Sequence, residues 1–141
     1  MCSSTKTARY NIKVDGKEEL QSSSGVIVST GLGSTGWLKS VVVGAKGVAK
    51  GIIGREITGD VRKPKWDSDF LYYSVREPFP SNTTSANLVF GTIKDSPLQI
   101  ISQMPEGGVI FSDGIEQDFL QFNSGITVEI SVAPKKGFLV V

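Results

Sequence analysis

From Ala8 to Asp15 apolar and polar residues alternate. Tyr10, Ile12 and Val14 fall on one face and Asn11 and Lys13 on the other, the period of a half-buried strand. Asp15-Gly16 marks a hairpin turn, with Lys17 to Leu20 as the return strand. Gln21-Ser22-Ser23-Ser24 reads as a polar spacer. The unbroken apolar run Val26 to Val28 predicts a buried strand that reaches Thr30, where Gly31 and Gly33 break it. From Ser34 to about Val48 the pattern turns helical. Trp37, Val41, Ala45 and Val48 share one face, and Lys39, Lys46 and Lys50 lie near another. Ser34 or Thr35 stands where an N-cap belongs, while Gly44 and Gly47 weaken the helix and leave its end open. Gly54 to Asp69 is charged and irregular, a surface loop. Further strands are predicted over Ser68 to Val75, Ala86 to Ile93, Leu98 to Ser102, Gly108 to Ser112, Gly125 to Val132 and Gly137 to Val141. Asp113-Gly114 and Lys135-Lys136-Gly137 supply turns. Many short strands with one principal helix predict a mainly β, sandwich-like domain.

Composition narrows the function. A chain of 141 residues suits one domain with a real core, here Thr7 to Val141 after a short disordered leader, Met1 to Lys6. The apolar fraction of 39% and charged fraction of 21% are those of an ordinary globular protein. A net charge of +1 gives no electrostatic case for nucleic acid or for an anionic membrane. With Cys2 as the single cysteine, an intrachain disulfide framework and a cysteine-based zinc site are excluded. With no histidine, so are a Ser-His-Asp triad, a Cys-His pair and any His-ligated metal. The apolar runs are too short for a membrane span, and the N-terminus has no hydrophobic signal core. The expected location is cytoplasmic.

The candidate chemistry sits where the buried strand meets the helix. A strand, a glycine turn and a helix start direct free backbone N–H groups and the positive end of a helix dipole at one spot. Such a spot suits an anion or the polar groups of a nucleotide, and the glycines let a ligand approach the backbone. The alternative is that Gly31 and Gly33 only shape a tight connection. No Gly-Lys-Ser/Thr follows, so this is not a P-loop. Gly31, Gly33 and Gly36 meet the G-x-G-x-x-G spacing, but no acidic residue ends a second strand. Asp60, after Thr58-Gly59, lies in a polar stretch instead. Thr35 and Ser40, about one and a half helical turns apart, can face one groove. Trp37 offers an indole face to a base, or anchors the helix in the core. Arg76 ends an apolar strand, where a charge takes either a ligand or a structural partner. Lys39, Lys46 and Lys50 fit a solvated face better than a phosphate site, and Asp113 reads as a turn former.

The stretch Ser24-Gly25-Val26-Ile27-Val28-Ser29-Thr30-Gly31-Leu32-Gly33-Ser34-Thr35-Gly36-Trp37 resembles a conserved motif of the NAD kinases, D-G-x-x-x-S-T-P-T-G-S-T-A-Y. Gly25, Ser29, Thr30, Gly33, Ser34 and Thr35 stand as in that motif. Ser24 replaces its Asp, Gly31 its Pro, Leu32 its Thr, Gly36 its Ala and Trp37 its Tyr. Tyr73-Ser74-Val75-Arg76-Glu77-Pro78-Phe79 is similar to the S-I-R-E-P segment of the divergent, mitochondrial-type branch. Phe111-Ser112-Asp113-Gly114 with Asp118-Phe119 resembles a turn near the C-terminus of these enzymes. The family commonly has a His close to the position of Phe79; this chain does not.

The resemblance spans roughly Tyr10 to Val141 and omits the G-G-D-G-T domain that handles phosphates in the family. It implies the C-terminal, NAD-binding and oligomerisation domain of an NAD kinase, which phosphorylates the 2′-hydroxyl of the NAD adenosine ribose. The implied substrate contacts are Ser24, Gly33, Ser34, Thr35, Gly36, Trp37, Ser40 and Arg76, with no catalytic residue and no metal ligand on this chain. ATP and Mg²⁺ would be handled by an N-terminal kinase domain. A homo-oligomer, dimer or tetramer, is implied, in the mitochondrial matrix if the source is eukaryotic. Other readings remain: a stand-alone dinucleotide-binding or structural module, or a relative acting on lipid or sugar hydroxyls.

Overall fold

The computed structural model describes residues 7–56, 65–112, 115, 117–135 and 137. The expected leader, residues 138–141 of the last expected strand, the Asp113-Gly114 turn, Asp60, much of the loop after Gly54 and part of the turn at Lys135 lie outside them. Among the described residues the protein is mainly β, as the pattern predicts. Nine strands form sheets of four, three and two, with one α-helix.

The first sheet grows from the hairpin of β1 (Ala8–Val14) and β2 (Lys17–Ser23). Its turn residues Asp15 and Gly16 have φ of 49° and 74°, the left-handed pair that matches strand twist in a two-residue loop. β6 (Leu98–Ser102) pairs antiparallel with β1, and β9 (Thr127–Ile130) with β6, giving the order β2-β1-β6-β9. The second sheet orders β3 (Gly25–Ser29), β4 (Leu71–Arg76) and β5 (Phe90–Ile93), all antiparallel. β7 (Val109–Phe111) and β8 (Phe119–Gln121) form a separate ribbon.

One apolar core serves both larger sheets. Tyr10, Ile12 and Val14 of β1 and Leu98 and Ile100 of β6 pack with Tyr73 and Val75 of β4 and Ile93 of β5. The alternation read from the sequence therefore identifies the inward face of β1.

Gln21-Ser22-Ser23 is not a spacer. β2 continues through it, and all three residues are buried. Their polar groups find partners inside: Ser23 Oγ meets the Tyr10 hydroxyl at 2.7 Å, Gln21 Nε2 donates to the Leu88 carbonyl at 3.1 Å, and the Phe79 amide donates to the Ser22 carbonyl at 2.7 Å. These hydrogen bonds offset most of the cost of burial, although the buried Gln21 Oε1 has no hydrogen-bond partner.

The helix α1 runs Trp37–Ile53, longer than expected, and ends at a left-handed Gly54 (φ 73°) whose N–H bonds the Lys50 carbonyl at 2.9 Å. Its apolar face is less covered than the periodicity implies. Only Leu38 is buried, and Val48, placed on the core face by sequence, is 63% exposed. The reason is geometric: α1 packs on β3 and the preceding turn near its start, and its distal half extends past them.

Candidate functional site

Between β3 and α1 the chain makes a tight turn held by its own hydroxyls. Gly33 N donates to Thr30 Oγ1 at 3.0 Å, and Ser34 N to the Thr30 carbonyl at 3.0 Å. A single 3-10 turn, Gly33–Thr35, follows. Ser34 Oγ donates to the Gly31 carbonyl at 2.6 Å and Thr35 Oγ1 to the Leu32 carbonyl at 3.2 Å. These hydroxyls reach backwards, so neither caps α1. The N-cap is Gly36, without a side-chain hydrogen bond. That corrects the capping expected of Ser34 or Thr35, because the 3-10 turn offers each hydroxyl a nearer acceptor. Gly31 is required here for a different reason than ligand access. A Cβ on it would lie 1.9 Å from the Lys65 carbonyl oxygen.

This turn forms one rim of a cleft of about 640 Å³. That volume falls in the usual range of small-molecule sites, ~300–1,000 Å³. β3 lines one wall with Val26 and Val28, β7 supplies Val109 and Phe111, and β6 and β9 add Ile100 and Val128. Gly33, Gly36 and Trp37 stand at the turn side. No Asp, Glu, Lys or Arg is among the lining residues, and the polar contributions come from Tyr10, Ser29, Thr30 and Ser112. Burial pushes the Tyr10 phenol up to about 12, so it stays neutral and can act only through its hydroxyl.

The predicted contacts divide. Gly33, Gly36 and Trp37 line the cleft. Arg76 lies beside it: its guanidinium carbon sits 4.6 Å from the Trp37 ring centroid, and its Nη2 lies 3.6 Å from Glu77 Oε1. The choice between ligand and structural partner for Arg76 thus meets a cation–π contact plus an ion pair. Ser24 is exposed and donates its amide to the Arg76 carbonyl at 3.0 Å, next to the Gly25–Arg76 strand pair. Ser34 is buried in the turn. Thr35 and Ser40 are exposed and are not among the residues lining the cleft, so they do not share that groove. The shift has a simple cause: Thr35 belongs to the 3-10 turn, which breaks the helical phase between it and Ser40. Trp37 is half-exposed at 49%, a cleft wall more than a core anchor.

Sequence reasoning missed Tyr10, Ile100, Val109, Phe111 and Val128 as cleft residues. Alternation marked only Tyr10 as one of an inward-facing set, and no local signal says that β3, β6, β7 and β9 would surround one space. Lys39 and Lys46 are exposed, and Lys50 pairs with Glu56 at 2.8 Å. Among the described residues no three His, Cys, Asp or Glu side chains gather as a metal site, and no helix is long and apolar enough to cross a membrane. No family model matches the chain, and no curated protein matches it.

Proposed function

We propose that this chain is the NAD-binding domain of an NAD-kinase-type enzyme, positioning the dinucleotide while residues outside these 141 handle ATP and Mg²⁺. The observation that carries the reading is the cleft bounded by Gly33, Gly36 and Trp37, three positions of the motif that resembles the family. Its uncharged walls suit a flat ring, while the amides of Gly33, Ser34, Gly36 and Lys39 already donate within the turn and helix start, so the reading rests on the cleft walls and not on a free cluster of N–H groups. The Trp37 indole, backed by Arg76, supplies a stacking face. Phosphoryl transfer is catalysed chiefly by positioning and charge stabilisation. This chain contributes the positioning. No step is assigned to a metal on this chain.

Calorimetry of the folded chain with NAD tests the reading. Weak, saturable binding in the millimolar range is expected, and absence of heat on a folded sample contradicts it. Incubation with ATP, Mg²⁺ and NAD should yield no NADP, since no Gly-Gly-Asp occurs in the sequence; turnover abolished by mutating this chain would overturn the division of labour.

A second reading, a relative that acts on a lipid hydroxyl, is favoured by the same uncharged lining, in which Val26, Val28, Leu38, Ile100 and Val109 predominate over polar groups. Saturable binding of a short-chain diacylglycerol, with none of NAD, would select it.

A further inference from the structure

Among the described residues that line the cleft, Tyr10 is the one buried polar side chain. It is 3% exposed, whereas Ser29 is half-buried and Thr30 and Ser112 are exposed at the rim. Ser29 and Thr30 are also engaged by the turn. Ser29 Oγ donates to the Thr30 carbonyl at 3.0 Å, and Thr30 Oγ1 accepts from the Gly33 amide at 3.0 Å. Apart from these and Trp37, the lining consists of apolar side chains and glycines. Tyr10 stands on β1, outside every stretch that resembles the NAD-kinase motifs.

Among the described residues its hydroxyl has one partner, Ser23 Oγ at 2.7 Å, and either oxygen can be the donor. Ser23 Oγ also accepts from the Gly25 amide at 3.0 Å, and its own proton reaches the Gly25 carbonyl only at 3.4 Å. A hydroxyl donates one proton and accepts besides. If Ser23 donates to Tyr10, the Tyr10 proton has no acceptor among the described residues. If Tyr10 donates to Ser23, the phenol oxygen keeps a free lone pair and the Ser23 proton is left with the long contact. In each arrangement Tyr10 retains an unused hydrogen-bonding capacity. Gly25 keeps this end of the cleft bare. It lines the cleft, and its φ of 138° is one that a side chain rarely permits. Burial holds the phenol neutral, so what it offers carries no charge. A charged ligand group at this depth would lose its hydration with no counter-ion among the described lining residues.

We infer that Tyr10 is a specificity-determining residue of the cleft, whose hydroxyl pairs with an uncharged hydrogen-bonding substituent on the ring that enters it. This role rests on the dinucleotide reading, which supplies two such rings: adenine with its 6-amino group and nicotinamide with its carboxamide. The Tyr10–Ser23 pair suits either, because rotating both hydroxyls turns Tyr10 from acceptor to donor. A site that hydrogen-bonds a ligand group discriminates against a ligand lacking it, since the buried hydroxyl is then left unpaired.

Titration of the folded chain followed by NMR, which reads millimolar affinities, is the test. The ligands are NAD and two analogues, one with hydrogen in place of the adenine 6-amino group and one with hydrogen in place of the nicotinamide carboxamide. Wild type should bind one analogue about tenfold or more weakly than NAD, and which one identifies the ring in the cleft. Tyr10→Phe deletes only the hydroxyl and leaves Ser23 its contacts with Gly25. In this variant NAD should weaken about tenfold, and its advantage over the discriminated analogue should shrink to within about threefold, because the paired group is gone. Two results overturn the inference: NAD affinity within about twofold of wild type, or an equal loss for NAD and both analogues, the pattern of a purely structural residue. Circular dichroism checks folding. If Tyr10→Phe does not fold, the wild-type series decides, and two analogues bound within about twofold of NAD overturn the inference. A folded wild type that does not bind NAD refutes the dinucleotide reading and this contact with it. NAD binding indifferent to Tyr10 refutes the contact alone.

Discussion

Replacing Glu19 tests how the two larger sheets are joined. Its carboxylate, on β2, accepts hydrogen bonds from the amides of Asn87 (2.9 Å) and Leu88 (2.8 Å), from Asn87 Nδ2 (3.2 Å) and from Gln21 Nε2. The next residue, Val89, accepts from the Val75 amide at 2.8 Å, so the clamp ties the first sheet to the lead into β5. Glu19→Ala deprives two backbone donors and two amide groups of their acceptor. Hydrogen bonds to a charged group contribute ~1.5–3 kcal/mol each when buried. This site is partly exposed, so water replaces some of them, and a total of about 2 kcal/mol is expected. For a domain of this size that lowers the Tm by roughly 6–10 °C. The pH dependence has a definite sign. Burial pushes the Glu19 carboxyl up, but the hydrogen bonds from Leu88, Gln21 and Asn87 outweigh it and hold the group below its ordinary value of 4.5. A folded-state value below the unfolded one gives stability that is complete above the unfolded value and lost as pH falls through the folded one. Differential scanning calorimetry of wild type and Glu19→Ala should therefore show a constant gap near neutrality that narrows below about pH 4.5. A Tm change under about 1 °C, or a gap that stays constant on acidification, would refute the clamp.

Leu98→Ala, at a fully buried core position, should cost ~2–5 kcal/mol in urea denaturation; a loss under about 1 kcal/mol would remove it from the core. Gly31→Ala places a Cβ against the Lys65 carbonyl and should cost ~1–3 kcal/mol in thermal melts, whereas a neutral result would deny the close approach. Thr35→Val loses the bond to the Leu32 carbonyl and should cost about 0.5–1 kcal/mol while leaving NAD affinity within about twofold, checked by melts and calorimetry side by side.

Where periodicity and turn chemistry act locally, the sequence foretold the fold. Asp15-Gly16 set the first hairpin, alternation in β1 marked its inward face, and the run Leu98 to Ser102 placed β6. The tail of β2 was illegible because serines and a glutamine read as solvent-facing. Their burial depends on Tyr10 and Leu88, partners that only the folded sheet brings near. β8 escaped notice because it has three residues and follows an acidic connection. At the site, the break between strand and helix was visible, yet the roles of Ser34 and Thr35 were not. Their hydroxyls donate back to the Gly31 and Leu32 carbonyls and close a 3-10 turn. The cleft itself is the least legible part. Ile100, Val109 and Val128 belong to sheets other than that of β3 and line the cleft opposite it only in the folded domain, for which spacing along the chain carries no signal.

The central claim is that a dinucleotide sits against Trp37, and the chain's two tryptophans make that directly measurable. In a Trp66→Phe variant, Trp37 is the sole indole, half-exposed on the cleft wall. Titrating NAD should quench its emission along a saturable curve with a midpoint in the millimolar range, matching the calorimetric one. NAD binding by calorimetry with no change at Trp37, or no binding at all by a folded chain, would contradict the account.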